Sequence, residues 1–114
     1  MTQPAMDANA FAEMKELMGD TFKDVIALCL QTLPQQLNAI ETAIEEHNAE
    51  TLFLTAHKMK SSCGSIGAFG LADKAQAIEL IGRDGSTQIP ADTLVALQNT
   101  IKEVLSVLTT ELEN

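Results

Sequence analysis

The most informative stretch of this chain is Thr55-Ala56-His57-Lys58-Met59-Lys60-Ser61-Ser62-Cys63-Gly64-Ser65-Ile66-Gly67-Ala68. On a helix each residue advances by about 100°, which places Lys60, Ser61 and Gly64 on the same side as His57. The apolar residues of the stretch fall on a different side. The stretch therefore predicts an amphipathic helix whose polar face carries a histidine, a lysine one turn later, and then only small side chains.

The small residues on this face are unusual for a helix. A face that only meets solvent usually carries Glu, Lys and Gln, whereas Gly is about 1 kcal/mol less favourable than Ala in a helix. We infer that Ser61 and Gly64 are present for a reason other than helix stability. Small side chains leave room for another molecule to approach the imidazole.

The composition indicates one helical domain. The chain has 114 residues, of which 46% are apolar, and it has no Trp or Tyr. This length is enough for a single core without a disulfide or a metal. Cys29 and Cys63 have no metal-binding spacing, so we expect buried free thiols.

The charge balance excludes several classes of partner. The net charge of −9 argues against binding to nucleic acid or to an anionic membrane, because both require a basic surface. Two of the few basic residues, Lys58 and Lys60, nevertheless flank His57. No signal peptide and no apolar run of about 20 residues is apparent, so we expect a cytoplasmic protein.

Apolar periodicity of three and four residues predicts five helical segments. They cover about residues 7–18, 21–47, 49–66, 71–83 and 90–112. Gly19 is expected to end the first helix and Asp20 to cap the second, with Pro34 kinking a continuous second helix. Gly67 and Gly70 are expected to end the third helix or to form a tight turn. We predict an all-α, antiparallel four-helix bundle with a short additional N-terminal helix, in which residues 1–6 are a flexible tail and residues 7–114 are a single domain.

The stretch from Ala56 to Ala68 resembles the signature of histidine-containing phosphotransfer (HPt) domains. In that signature Ala-His is followed by a variable residue, then Leu or Met, Lys, two or three small residues and, later, Gly-Ala. The resemblance continues through Leu71-Ala72 to Ile78-Glu79-Leu80 and implies the same four-helix bundle. One departure is Ser61, where the family usually has Gly.

The resemblance implies that His57 accepts a phosphoryl group. A neutral imidazole is a competent nucleophile near neutral pH, and Lys60 can stabilise negative charge on the phosphoryl oxygens. Ser61 and Gly64 would then give clearance for the active-site loops of a partner. The sequence contains no Walker or kinase glycine loop, so we expect no autonomous kinase or ATPase activity. No cofactor or metal site is expected in this chain, and magnesium is expected on the partner.

Two roles are open for Glu79, which matches a family position that commonly holds Glu or Gln. It either orients the imidazole by accepting a hydrogen bond or pairs as a surface acid with Lys74 or Arg83.

Three residues of the third predicted helix are candidates for docking. Phe53 and Leu54 project closer to the His57 side than the core residues do, so we expect at least one of them to be partly exposed and to contribute to docking. The alternative is that neighbouring helices bury both. Lys58 is expected to steer an acidic partner.

The partners implied by the resemblance are receiver domains of response regulators and of hybrid sensor histidine kinases. The protein is expected to be a monomer, because a bundle satisfies its apolar stripes internally. Two alternatives remain open: a docking or inhibitory module that binds receivers without carrying phosphate, and a transfer domain from a larger kinase.

Overall fold

The computed structural model describes residues 4–113. Within that range the chain forms five α-helices: α1 Ala8–Met18, α2 Phe22–Glu45, α3 Ala49–Ser65, α4 Phe69–Arg83 and α5 Ala91–Glu113. A single turn of 3-10 helix, Gly19–Thr21, joins α1 to α2. No β-strand occurs among these residues.

Helices α2 to α5 form a four-membered ring. Helix α3 packs against α2 and α4, and α5 packs against the same two helices, while α1 lies on α2. The short connections at 46–48 and 66–68 make consecutive helices antiparallel, since so few residues can only reverse the chain. The predicted all-α bundle with a short additional N-terminal helix is confirmed.

Apolar side chains from all five helices form one core. Its buried members are Phe11, Phe22, Ile26, Leu33, Ile40, Ala43, Leu52, Ala56, Met59, Cys63, Ile66, Ala68, Leu71, Ala75, Ile78, Leu97, Ile101, Val104 and Leu108. None of the helices in residues 4–113 is both long and apolar enough to cross a membrane.

Helices α1 and α2 begin close to the predicted residues, but the predicted cap of α2 is wrong. Asp7 caps α1 by accepting a hydrogen bond from the Ala10 amide at 3.0 Å, and Gly19 ends the helix with a φ of 56°. Asp20 was expected to cap α2 but lies in the 3-10 turn. The residue that precedes α2 is Thr21, whose side chain makes no capping hydrogen bond.

Helix α2 runs without a break through Pro34, as predicted. A proline has no amide hydrogen, so one intrahelical hydrogen bond is lost. Ile26, Leu33 and Ile40 are all buried, which shows that the apolar stripe keeps its phase on both sides of the proline. Burial of this stripe against the other helices outweighs the lost bond.

Gly67 and Gly70 were both predicted to end α3 or to form a tight turn, and only Gly67 does so. Gly67 has a φ of 81° and makes the turn, because a left-handed conformation favours glycine. Gly70, in contrast, lies inside the first turn of α4, and its amide donates to the Pro4 carbonyl at 3.1 Å. A Cβ on Gly70 would lie 2.2 Å from that carbonyl oxygen, so this glycine allows a close chain approach rather than a turn.

The first described residues lie against the bundle. Besides the Pro4 contact, Ala5 and Met6 are partly buried against the core, and the Asp7 amide donates to the Gly67 carbonyl at 2.8 Å. Residues 4–6 of the predicted flexible tail therefore contact the bundle, whereas residues 1–3 lie outside the described range. The assignment of residues 7–114 to one domain stays a prediction.

Both cysteines are free thiols, Cys63 buried and Cys29 partly so. Burial, followed by the proximity of Cys29, raises the pKa of Cys63 to about 12. Burial also raises the pKa of Cys29. Both side chains therefore stay protonated and act as small apolar groups.

Candidate functional site

Helix α3 presents His57 at the surface. The helix starts at Asn48, whose side-chain oxygen accepts a hydrogen bond from the Thr51 amide at 3.0 Å. Leu52, Ala56, Met59 and Cys63 are buried, and their spacing of four and three residues defines the inner face of the helix. His57, which follows Ala56, points away from that face, and its side chain is 52% exposed.

Glu79, on the neighbouring helix α4, contacts the imidazole of His57. His57 Nδ1 lies 2.5 Å from the carboxylate oxygen Oε2 of Glu79, which comes from the third turn of α4. The Glu79 side chain is only 8% exposed. The position of the imidazole is therefore set by a buried carboxylate rather than by solvent.

The same carboxylate also binds Lys60. Lys60 Nζ donates to the other oxygen, Oε1, at 2.7 Å, and the lysine side chain is about one third exposed. His57 and Lys60 lie three residues apart and so share one face of α3. One buried acid on α4 thus binds two successive polar groups of α3, one through each oxygen.

These contacts keep Glu79 ionised. The hydrogen bond from Lys60 is the largest influence and lowers the pKa of Glu79; burial opposes it, and the hydrogen bond from His57 adds to the lowering. The net pKa lies below the ordinary glutamate value. Two partners were considered for Glu79: the imidazole of His57, or Lys74 or Arg83 at the surface. In the structure the carboxylate contacts His57 and Lys60 instead of Lys74 or Arg83.

An ionised carboxylate determines which ring nitrogen of the imidazole carries the proton. A carboxylate can only accept hydrogen bonds, and a neutral imidazole has one N–H and one bare nitrogen. Nδ1 of His57 faces the carboxylate and must be the donor, so Nδ1 is protonated. The lone pair is then on Nε2, on the opposite side of the ring from Glu79.

The surface after His57 along α3 is open. Ser61 and Gly64 are exposed, and a Cβ placed on Gly64 would have no atom within 4 Å. Lys58 is also exposed. The structure therefore places the predicted small residues beside the histidine without any covering side chain.

The chain matches a known family in this region. The family model described as the Hpt domain matches residues 24–107. This range includes α3, α4 and the carboxylate cluster, which consists of His57, Lys60 and Glu79. The chain belongs to the Hpt domain family. This membership supports a phosphotransfer role in two-component phosphorelays.

Two solved Hpt structures have the same fold. Histidine-containing phosphotransfer protein B (HptB) from Pseudomonas aeruginosa PAO1 has a TM-score of 0.89 at 21% identity, over 98% of this chain and 97% of that one. The HPT domain of a sensor hybrid histidine kinase from Shewanella has a TM-score of 0.78 at 16% identity, over 96% of this chain and 94% of that one. No curated protein matches the chain.

The two apolar residues beside the site of this Hpt domain have different surroundings. Leu54 is 46% exposed, which meets the expectation that one of the pair faces solvent. Phe53 is partly buried, and its ring stacks on the imidazole with a centroid separation of 6.0 Å and an angle of 25°. This stacking was not predicted, although an aromatic residue four positions before a histidine lies on the same helix face and is a usable signal.

The second histidine of the chain, His47, lies on a different part of the surface from His57. His47 is exposed in the turn after α2, with a φ of 55° and its Nδ1 3.4 Å from the Thr87 hydroxyl. Within residues 4–113 no group of three or more His, Cys, Asp or Glu side chains is arranged to hold a metal ion.

Proposed function

We propose that this Hpt protein carries a phosphoryl group on Nε2 of His57, between receiver domains of hybrid sensor kinases and of response regulators. The observation that carries the proposal is the contact between Nδ1 and the buried carboxylate of Glu79. It leaves Nε2 as the ring nitrogen that Glu79 does not bind, on a side chain that is 52% exposed. Family membership supplies the reaction class.

The transfer step needs no proton to move. The lone pair of Nε2 forms a bond to phosphorus while the bond between phosphorus and the donor's aspartate oxygen breaks, and the aspartate leaves as a carboxylate. The imidazole gains positive charge in this step, and the carboxylate 2.5 Å from Nδ1 stabilises that charge. The reverse sequence, with an aspartate of a second receiver as nucleophile, returns the ring to its neutral form.

Lys60 contributes through its ammonium group in two ways. One of its three N–H donors binds Glu79 and keeps that carboxylate ionised. The remaining donors lie one turn from His57 and are available for the equatorial oxygens of the phosphoryl group, where a positive charge stabilises the transition state.

The surface around His57 suits an acidic partner. The chain has 16 Asp and Glu residues, yet none lies in residues 25–40 or 51–72, which include facing parts of α2 and α3. The exposed groups there include Leu28, Leu54 and Lys58. A receiver presents a phosphorylated aspartate and magnesium-binding acids, so the absence of acids from these stretches of α2 and α3 avoids repulsion between like charges.

Magnesium belongs to the partner in this proposal. Phosphoryl transfer between aspartate and histidine requires a cation near the phosphoryl oxygens, and Mg²⁺ is held by carboxylates together with phosphate. This chain contributes the nucleophile, the orienting acid and the lysine. It contributes no ATP site, and the phosphoryl group comes from the partner.

The test is transfer of radiolabelled phosphate from a phosphorylated receiver domain to three proteins: the wild type, His57→Gln and His47→Asn. The last is a matched control, since His47 is the second histidine of the chain and Asn tolerates its positive φ. We expect acid-labile, base-stable label on the wild type and on His47→Asn, and none on His57→Gln. A folded wild type left unlabelled by several receivers would refute the carrier role in favour of a docking module.

A further inference from the structure

The backbones of α3 and α4 are in close contact at Gly82 of α4. A Cβ built on Gly82 would lie 2.8 Å from the Phe53 amide nitrogen, and 3.1 Å from both the Ala49 carbonyl oxygen and the Phe53 Cα. All three are backbone atoms of α3, so no side-chain rotation can make room for a methyl group. Gly82 itself is buried.

On both helices this contact lies one turn away from the carboxylate cluster. Gly82 follows Glu79 by three residues, and Phe53 precedes His57 by four, so each pair shares a helix face. The Phe53 ring also stacks on the imidazole. The backbone of α4 therefore rests against the same turn of α3 that supports His57.

The cluster tolerates little change in the spacing of the helices. Glu79 reaches His57 and Lys60 over 2.5 and 2.7 Å, and hydrogen bonds of this kind weaken beyond about 3.2 Å. Ordinary van der Waals contact begins near 3.4 Å, so a methyl group on Gly82 must move α4 away from its 2.8 Å position by about 0.6 Å. Transferred to the two hydrogen bonds, a shift of that size lengthens the contact with His57 to about 3.1 Å, close to that limit, and the contact with Lys60 to about 3.3 Å, beyond it.

We propose that Gly82 is a positioning residue for phosphoryl acceptance by His57. By bringing the α4 backbone against α3, it keeps Glu79 within reach of both His57 and Lys60. The proposal rests on the proposed carrier function, since it assigns to Gly82 the geometry on which that function depends.

The test compares Gly82→Ala with Gly70→Ala. Both glycines are buried in α4, and a Cβ on Gly70 would also collide with backbone, but with that of Pro4 rather than of α3. The two variants thus make the same chemical change in the same helix, and only one of them acts on the α3–α4 spacing. Ala is the better helix former in both cases, so a loss in either variant cannot come from helix propensity.

Two readouts separate positioning from general destabilisation. The first is the rate at which phosphoramidate, a small donor that needs no docking surface, phosphorylates His57 with release of ammonia. The second is the ¹⁵N NMR spectrum of the imidazole, which reports whether Nδ1 or Nε2 is protonated. Both are measured at a temperature where circular dichroism shows each variant to be folded.

We expect Gly82→Ala to lose about tenfold in phosphorylation rate, similar to the loss when a histidine ligand loses its orienting partner, and to lose the preference for protonated Nδ1. Gly70→Ala should keep the wild-type rate and spectrum. A wild-type rate and spectrum in Gly82→Ala would overturn the proposal. A wild type that neither phosphoramidate nor a receiver labels would instead overturn the carrier function itself.

A second variant covers the case in which Gly82→Ala does not fold. Glu79→Asp shortens the side chain by one methylene group and so increases the distance to His57 without changing the helix packing. We expect it to reproduce the loss of rate and the change in protonation. A wild-type result for a folded Glu79→Asp would show that the spacing is unimportant and would also overturn the proposal.

Discussion

Replacing Glu79 by glutamine should reverse the proton assignment of His57. An amide has the same shape as the carboxylate but only one acceptor oxygen and two N–H donors. Lys60 can only donate, so the amide oxygen turns toward its ammonium group. The amide N–H groups then face Nδ1, which can accept only when it is unprotonated, and the proton moves to Nε2.

The size of the effect follows from the hydrogen bond that is lost. The contact between Nδ1 and the Glu79 oxygen is short, at 2.5 Å, and the carboxylate is almost fully buried. Hydrogen bonds to charged groups contribute about 1.5–3 kcal/mol, and 1.4 kcal/mol corresponds to a factor of ten. Glu79→Gln should therefore lower the rate of phosphoryl acceptance by roughly ten- to a hundredfold.

A second substitution should restore part of that rate. With Lys60→Met in the Glu79→Gln background, the donor that fixed the amide is gone and the amide can rotate. Its oxygen then accepts from Nδ1, and Nε2 regains its lone pair. The double variant should be faster than Glu79→Gln alone, although Lys60→Met by itself should be slower than the wild type because it removes a positive charge.

The assay is phosphorylation of His57 by phosphoramidate and by a phosphorylated receiver, together with ¹⁵N NMR of the imidazole for each variant. Asp73→Asn is the matched control, because it makes the same chemical change at an exposed position of α4 and should have the wild-type rate. A double variant no faster than Glu79→Gln would refute the argument from amide orientation. A wild-type rate in Glu79→Gln would refute the role of the carboxylate altogether.

Three further predictions concern stability, thiol reactivity and docking. Lys60 holds the pKa of Glu79 below the ordinary value. The carboxylate's contribution to the free energy of unfolding should therefore be complete above about pH 4.3 and be lost as the pH falls through the lower folded pKa. The free energies of unfolding of wild type and Glu79→Gln, measured in urea, should differ clearly at pH 7 and less at pH 3, and an unchanged difference would contradict this. Cys63 has its pKa raised to about 12 by burial and by Cys29. In a Cys29→Ala variant, which leaves Cys63 as the one thiol, Cys63 should react with Ellman's reagent at pH 8 only after unfolding, and rapid reaction of the folded variant would contradict its burial. Leu54→Asp should slow transfer from a phosphorylated receiver by about tenfold while leaving the melting temperature and the rate of phosphoramidate labelling unchanged. Leu17→Asp, at an 85% exposed position of α1, should have the wild-type transfer rate. Equal transfer rates for the two variants would show that Leu54 is not part of the docking surface.

The helices and the histidine could be predicted because the signals are local. Apolar spacing in α2, α3 and α5 reports the buried face directly. The small residues after His57 are visible in the sequence as poor helix formers, and the structure has them exposed. Even Pro34 was correctly placed inside a continuous helix, since the apolar stripe keeps its phase across it.

The errors occur where distant parts of the chain meet. Gly70 has the local character of a turn residue, and only the approach of Pro4 shows why a glycine lies within α4. Asp20 is a good capping residue in isolation, but α2 follows a 3-10 turn that places Thr21 before it. Neither contact leaves a pattern in its own segment of the sequence.

The carboxylate cluster lies between these two cases. The sequence identified His57, Lys60 and Glu79 but left open which partner Glu79 takes, because that depends on the distance between α3 and α4. The distance is determined by Gly82 against the backbone of Phe53, a contact that no spacing rule within one helix can reveal.

The most direct test of the account is to identify the nitrogen that carries the phosphoryl group. Protein labelled with ¹⁵N-histidine is phosphorylated by a receiver domain, and the coupling between phosphorus and nitrogen is measured by NMR. The account predicts phosphorus on Nε2 of His57, with Nδ1 still protonated and bound to Glu79. Phosphorus on Nδ1, or on any residue other than His57, would contradict it.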